Sequence, residues 1–206
     1  VYRKYSQNRY MGQAIEESYK RILQPNFESE FKKELREKAD LESILVFAKN
    51  LKQLLLQSPL GGKTTLAIDP GFRTGCKVVV LNGHGDFIEN TTIYPHEPQN
   101  KKADAEKILR ELLKKHQVEA IAIGDATAGL ETLKWCEDLF TDSKLQIFEV
   151  SETGASVYSA SDIAREEFPE LDLTVRGAIS IGRRLMDPLA ELVKVDPKCI
   201  GVGQYQ

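Results

Sequence analysis

Cysteine is scarce, with three in 206 residues. Cys76, Cys136 and Cys199 lie far apart and form no Cys-x-x-Cys pair, which argues against a disulfide framework and a structural zinc site. The plain reading is a reduced, cytoplasmic compartment. Histidine is equally sparse, and His84, His96 and His116 have no metal-ligand spacing. There is no Gly-x-Ser-x-Gly elbow and no cysteine beside a histidine, so nucleophilic catalysis finds no support. No apolar run approaches bilayer length. Val1-Tyr2-Arg3-Lys4-Tyr5 lacks the apolar stretch of a signal peptide. A large excess of one charge sign is missing too. The formal net charge is -3, so any face for nucleic acid must be local. No internal repeat and no low-complexity tract is visible.

What is present is an ordinary globular composition, 41% hydrophobic, which supplies a normal core. The chain has no initiator Met, and Gly201-Val202-Gly203-Gln204-Tyr205-Gln206 has no terminating character. Both ends read as cut from something longer. Residues 1–62 read as a helical lead, with helices expected over 14–23 and 27–56 and a break at Pro25. Leu41, Ile44, Leu45, Phe47, Ala48, Leu51, Leu54 and Leu55 recur at helical spacing and predict one apolar face. Tyr2, Tyr5 and Tyr10 with Arg3, Lys4 and Arg9 offer a base-stacking alternative to a frayed start.

After a Pro/Gly-rich linker the pattern turns to strand. Three strands are expected over 64–69, 76–81 and 87–94, the last two joined by the turn Asn82-Gly83-His84-Gly85. A helix over 101–116, a fully apolar strand over 120–123, a helix over 130–140 and a strand over 146–150 follow. Helices over 156–167 and 174–185 come next, and Asp187-Pro188 starts a short one. Three antiparallel strands followed by helix–strand–helix–strand–helix is the order of a ribonuclease-H-like fold. The expected class is therefore α/β, a mixed five-stranded sheet flanked by helices and preceded by a helical segment.

Candidate chemistry gathers at strand ends. Asp69 closes the first strand and is followed by Pro70-Gly71, Asp125 follows the fourth, and Glu152 follows the fifth. Carboxyl ends of strands converge on one edge of an open α/β sheet. Fixed carboxylates there suit divalent-metal chemistry on phosphodiesters, with Mg2+ or Mn2+ as cofactor and Asp69 and Glu152 as metal ligands. Asp-Pro-Gly is also an ordinary turn. Asp187 is a weaker fourth acid whose plainer role is an N-cap. Arg73 and Thr74, with the backbone of Gly71 and Gly75, offer a phosphate contact. Lys63, Arg176, Arg183 and Arg184 extend that reading to a basic rim for nucleic acid.

Leu66-Ala67-Ile68-Asp69-Pro70-Gly71-Phe72-Arg73-Thr74-Gly75 resembles the opening of the YqgF/RuvC-like domain of the Tex family, the bacterial transcription accessory proteins. The stretches 150–161 and 174–181 are similar to two further signatures of that family, and 187–206 looks like its lead-in to helix-hairpin-helix repeats. The resemblance implies a helical lead over 1–62, the ribonuclease-H-like domain over 63–187, and a linker starting at 188–206. It further implies helix-hairpin-helix elements and an S1 RNA-binding domain outside this chain. The implied partners are RNA or DNA, mainly through those other domains, and the transcription machinery. One departure stands out. The family's Gly-Asn-Gly-Thr is replaced by Gly124-Asp125-Ala126-Thr127, and an Arg by Leu130. Two functions are carried forward. One is a non-catalytic nucleic-acid-associated module; the alternative is a metal-dependent nuclease of the resolvase type using Asp69, Asp125 and Glu152. An actin-like nucleotide-binding domain, which also opens on an Asp-x-Gly turn, is a distant third.

Overall fold

The computed structural model describes residues 8–141 and 143–201. The aromatic-basic residues Tyr2, Arg3, Lys4 and Tyr5, and the tail at 202–206, lie outside the described residues. The chain divides into two units, Val1–Lys49 and Asn50–Gln206.

The first unit is helical. Helix α1, Arg9–Ser18, starts on Asn8, whose Oδ1 accepts the backbone N–H of Tyr10 at 3.1 Å. A π-helical turn, Tyr19–Leu23, follows, and helix α2 runs over Gln24–Leu55. The break expected at Pro25 does not occur. Proline lacks the N–H that continues an α-helical ladder. Just ahead of it the backbone has widened, and the Gln24 N–H donates to Tyr19 five residues back. The missing donor therefore falls beside a turn that has already left the i→i−4 pattern. Helix α2 buries no residue, and Leu41, Ile44 and Leu45 are exposed. The expected apolar face is thus only partly used. Its last turn, in the second unit, packs Leu51, Leu54 and Leu55 on Tyr158, Leu192, Val195 and Ile200.

The second unit is built on one sheet of strands β1 Thr65–Asp69, β2 Cys76–Leu81, β3 Phe87–Ile93, β4 Ala120–Gly124 and β5 Gln146–Val150. Their spatial order is β3-β2-β1-β4-β5. Pairs β1–β2 and β2–β3 are antiparallel; β1–β4 and β4–β5 are parallel. This is the mixed five-stranded ribonuclease-H-like sheet that the element order predicts. Helix α3, Lys102–His116, connects β3 to β4, and helix α4, Gly129–Leu139, connects β4 to β5. Both cover one face. There Leu109, Leu112, Cys136 and Phe140 meet Leu66, Ile68, Val78, Val80, Ile121 and Ile123. β1 is central and covered on both faces, so Leu66, Ala67 and Ile68 are fully buried in sequence, which is why that strand reads as continuously apolar.

Among the described residues, four α-helices follow β5: α5 Ala155–Ala160, α6 Asp162–Glu167, α7 Leu173–Met186 and α8 Pro188–Leu192. The single helix expected over 156–167 is two. Ser161 is extended, and its Oγ accepts the N–H of Ala164, capping a new start. Helix α7 lies across the second face, packing Val175, Ala178 and Ile179 on Val79 and Leu81, and Ile181 on Ala67 and Ala122. The approach is close because Gly182 carries no side chain. A Cβ there would sit 2.6 Å from Leu81 Cδ1 and 2.9 Å from Ala67 Cβ. Asp187 caps α8, its carboxylate accepting the N–H of Ala190 at 3.1 Å.

Candidate functional site

β1, β4 and β5 run parallel, so their carboxyl ends share one edge. A cavity of about 420 Å³ opens there, lined by Asp69, Asp125, Ala126, Glu152 and the first turn of α7 among others. The three acids expected at strand ends therefore do converge. They are not equivalent.

Asp69 is half-buried under α7. A Cβ on Gly177 would stand 3.2 Å from Asp69 Oδ2, so any larger residue there would press the carboxylate aside by a few tenths of an ångström. Burial pushes the Asp69 carboxyl up to about 6, against the pull of the Lys77 ammonium. Glu152 reaches back over Gly124, where an added Cβ would collide with its carboxylate. Its Oε1 accepts the Ala126 backbone N–H at 3.3 Å. Burial, then the neighbouring charge of Asp69, push the Glu152 carboxyl up to about 7, while the Ala126 N–H opposes the rise. Asp125 is exposed, and its Oδ1 accepts the backbone N–H of Glu152 at 2.9 Å. In return, the Asp125 N–H donates to Val150 C=O at 3.1 Å. Asp125 thus ties the β4–α4 loop to the β5–α5 loop.

Asp69 and Glu152 form a pair of half-buried carboxyls, each raised chiefly by burial, with the charge of Asp69 adding to the rise at Glu152. Among the described residues, no group of three or more His, Cys, Asp or Glu side chains is arranged to hold a metal ion. Asp125 is engaged by a backbone N–H, and α7 brings Thr174, Gly177 and Ile181 to the cavity. As placed, the three acids do not form a ligand cluster for a pair of divalent ions.

The expected basic rim is largely taken apart. Lys63 precedes β1 and so lies at the opposite, amino edge of the sheet, where its Nζ donates to Gln146 Oε1. The Arg176 Nε donates to Phe168 C=O at 3.0 Å. Arg183 donates from Nε to Gly85 C=O at 2.8 Å, pairs with Glu167 at 2.7 Å and lies over the Phe168 ring. Arg184 is 6% exposed, and its Nη1 donates to the carbonyls of Ser151 at 2.8 Å and Thr153 at 2.7 Å. It grips the loop bearing Glu152 from behind, and its charge steadies the ionised Glu152. Arg73 and Thr74 are exposed in the β1–β2 turn but do not line the cavity. Leu130 is 55% exposed near the start of α4.

Sequence reasoning missed four contributors: Lys77, Gly124, Gly177 and the Ala126 N–H. The glycines carried a signal, since each sits inside a regular element where glycine is otherwise unfavourable. Two of the three histidines have side-chain partners. His116 Nε2 is 2.7 Å from Glu89 Oε2, and His96 Nε2 is 2.7 Å from Thr132 Oγ1.

The Tex protein YqgF-like domain family matches residues 63–186, more than half of the chain. The chain belongs to the Tex family. Transcriptional accessory protein Tex of Neisseria gonorrhoeae is 51% identical over 84% of this chain and 23% of its own length. Human S1 RNA-binding domain-containing protein 1 is 40% identical over 94% of this chain and 20% of its own length. The chain therefore spans less than a third of the length of the curated relatives it matches. Thermus thermophilus RuvC, a solved structure, aligns with 64% of this chain and 95% of its own at 16% identity and a TM-score of 0.40. Among the described residues, no helix is long and apolar enough to cross a membrane.

Proposed function

We propose that residues 63–187 form a nucleic-acid-associated module of a Tex-type transcription accessory protein, without catalytic activity. In this reading residues 1–62 are its helical lead, and 188–206 begin a linker toward helix-hairpin-helix repeats. Support comes from family membership and from relatives named as a transcriptional accessory protein and as an S1 RNA-binding domain protein. The observation that carries the non-catalytic part is the state of the three acids. Asp125 is engaged by the Glu152 N–H, while Asp69 and Glu152 both have raised proton affinity. Arg73 and Thr74, exposed beside the acid edge, are the proposed nucleic-acid contacts there.

The alternative is a Mg2+- or Mn2+-dependent nuclease using Asp69, Asp125 and Glu152. It is favoured by the lining of one cavity by all three. Incubating the purified chain with branched, single-stranded and duplex substrates plus either metal separates the two. The proposal expects no cleavage. Metal-dependent cleavage that disappears in Asp69→Asn replaces it with the nuclease. In the full-length protein, Asp69→Asn is expected to leave nucleic-acid affinity unchanged, and a large loss counts against the module as described.

A further inference from the structure

The opposite edge of the sheet carries a larger concavity, about 780 Å³, between α3, the start of β1 and the α4–β5 loop. Its floor is apolar, from Leu113, Val118, Phe140 and Leu145. Its rim is cationic, with Lys63, Arg110, Lys114 and Lys144 against the single acid Glu119 among the described lining residues. The size falls within the range of ligand sites. Net charge is no guide to it, since the chain as a whole is acidic.

The cations differ in availability. Lys63 donates to a neutral amide, so its charge stays uncompensated. Lys114 and Lys144 are exposed, with no ion-pair partner among the described residues. Arg110 is neutralised by Glu106 at 2.8 Å, and its guanidinium lies 5.3 Å from the Phe140 ring centroid. It is 53% exposed in its side chain, so the planar group stays open to a further stacking partner. Three ammonium groups with uncompensated charge around a stacking surface suit a phosphodiester strand carrying flat bases better than an acidic peptide, which has no bases to stack.

We propose that this amino-edge groove binds single-stranded nucleic acid. Lys63, Lys114 and Lys144 contact phosphates, and the Arg110–Phe140 pair offers the surface for a base. This rests on the nucleic-acid reading above and assigns it a surface remote from the acid pair. The occupant is read by charge and stacking, so little sequence preference is expected.

The test is fluorescence anisotropy of this chain with labelled oligo-dT and oligo-rU over a salt series, with polyglutamate as competitor. Each lost phosphate contact reduces the slope of log affinity against log salt by about 0.7. The triple variant Lys63→Gln, Lys114→Gln, Lys144→Gln is expected to bind at least about tenfold more weakly at low salt, with a slope shallower by about 2. Arg110→Ala is expected to weaken binding while leaving the slope nearly unchanged. The variant Arg165→Gln with Lys198→Gln, outside the groove, is expected to bind as the unaltered chain does. The dT and rU arms distinguish DNA from RNA. Unchanged affinity in the triple variant, with the unaltered chain binding, overturns the groove and leaves the nucleic-acid reading standing. No binding by the unaltered chain overturns both. Polyglutamate displacing the oligonucleotide at equal charge concentration overturns the choice of nucleic acid over an acidic peptide.

Discussion

The backbone N–H of Glu152 donates to Asp125 Oδ1 at 2.9 Å, joining two loops that leave adjacent parallel strands. This makes Asp125 a clamp. Asp125→Ala removes the acceptor and is expected to cost about 1–2 kcal/mol, whereas Asp125→Asn keeps an oxygen in place and costs less. Urea unfolding of both variants measures the difference. Equal stability of the Ala variant and the unaltered chain would contradict the clamp.

The acid pair sets a pH dependence. Asp69 and Glu152 bind protons more tightly when folded, at about 6 and about 7, than their ordinary values of 3.8 and 4.5 allow. Between the ordinary and the raised values the folded state holds the extra protons, so stability falls as pH rises through that window. Asp69→Asn removes part of the penalty. It is expected to raise stability at pH 8 by on the order of 1–2 kcal/mol, allowing for partial solvent access, and to leave stability near pH 4 little changed. Thermal melts from pH 4 to about pH 8 read the slope. A slope identical to that of the unaltered chain would show that the pair does not carry it.

Arg184 supports the same loop from the core side. Arg184→Met loses the donors to Ser151 and Thr153, and also a cation that favours the ionised form of Glu152. A loss of about 2–4 kcal/mol is expected, with the Glu152 titration moved upward. Carboxyl NMR titration reads the second effect, which mere loosening of the fold would not produce.

Gly182 fixes how closely α7 lies on the sheet. Gly182→Ala places a methyl 2.6 Å from Leu81 Cδ1 and 2.9 Å from Ala67 Cβ, both fully buried, so strand or helix must shift. An overpacking cost of about 1–3 kcal/mol is expected in chemical denaturation, despite the better helix propensity of alanine.

Periodicity made much of this fold readable. Fully apolar 120–123 could only be an interior strand, and the alternation of strands and helices implied which strand ends would meet. Pro25 and Ser161 were misjudged for opposite reasons. The proline was absorbed by a π-helical turn that no residue pattern announces, and the serine cut a helix through one cap bond. The arginines of α7 looked free because their partners are remote in sequence. Gly85 and Glu167 hold Arg183, and Ser151 and Thr153 hold Arg184. Charge availability is a tertiary property, and only distance along the chain is visible beforehand. Lys63 was misplaced more simply, because the residue before a strand lies at the other edge from the residue after it.

The enclosure of Asp69 has a consequence for how the chain is made. β1 emerges early, but the parallel neighbour that flanks it is β4, and the glycine that covers it is Gly177. Everything that raises its proton affinity, apart from β1 itself, is synthesised later. In a nascent chain halted before α7, the helix residue beside the Asp69 carboxylate is still missing, so its proton affinity is expected to lie closer to the ordinary value than in the finished domain. The titration of this single side chain is therefore expected to report completion of the domain, since the contacts that bury it are distant in sequence.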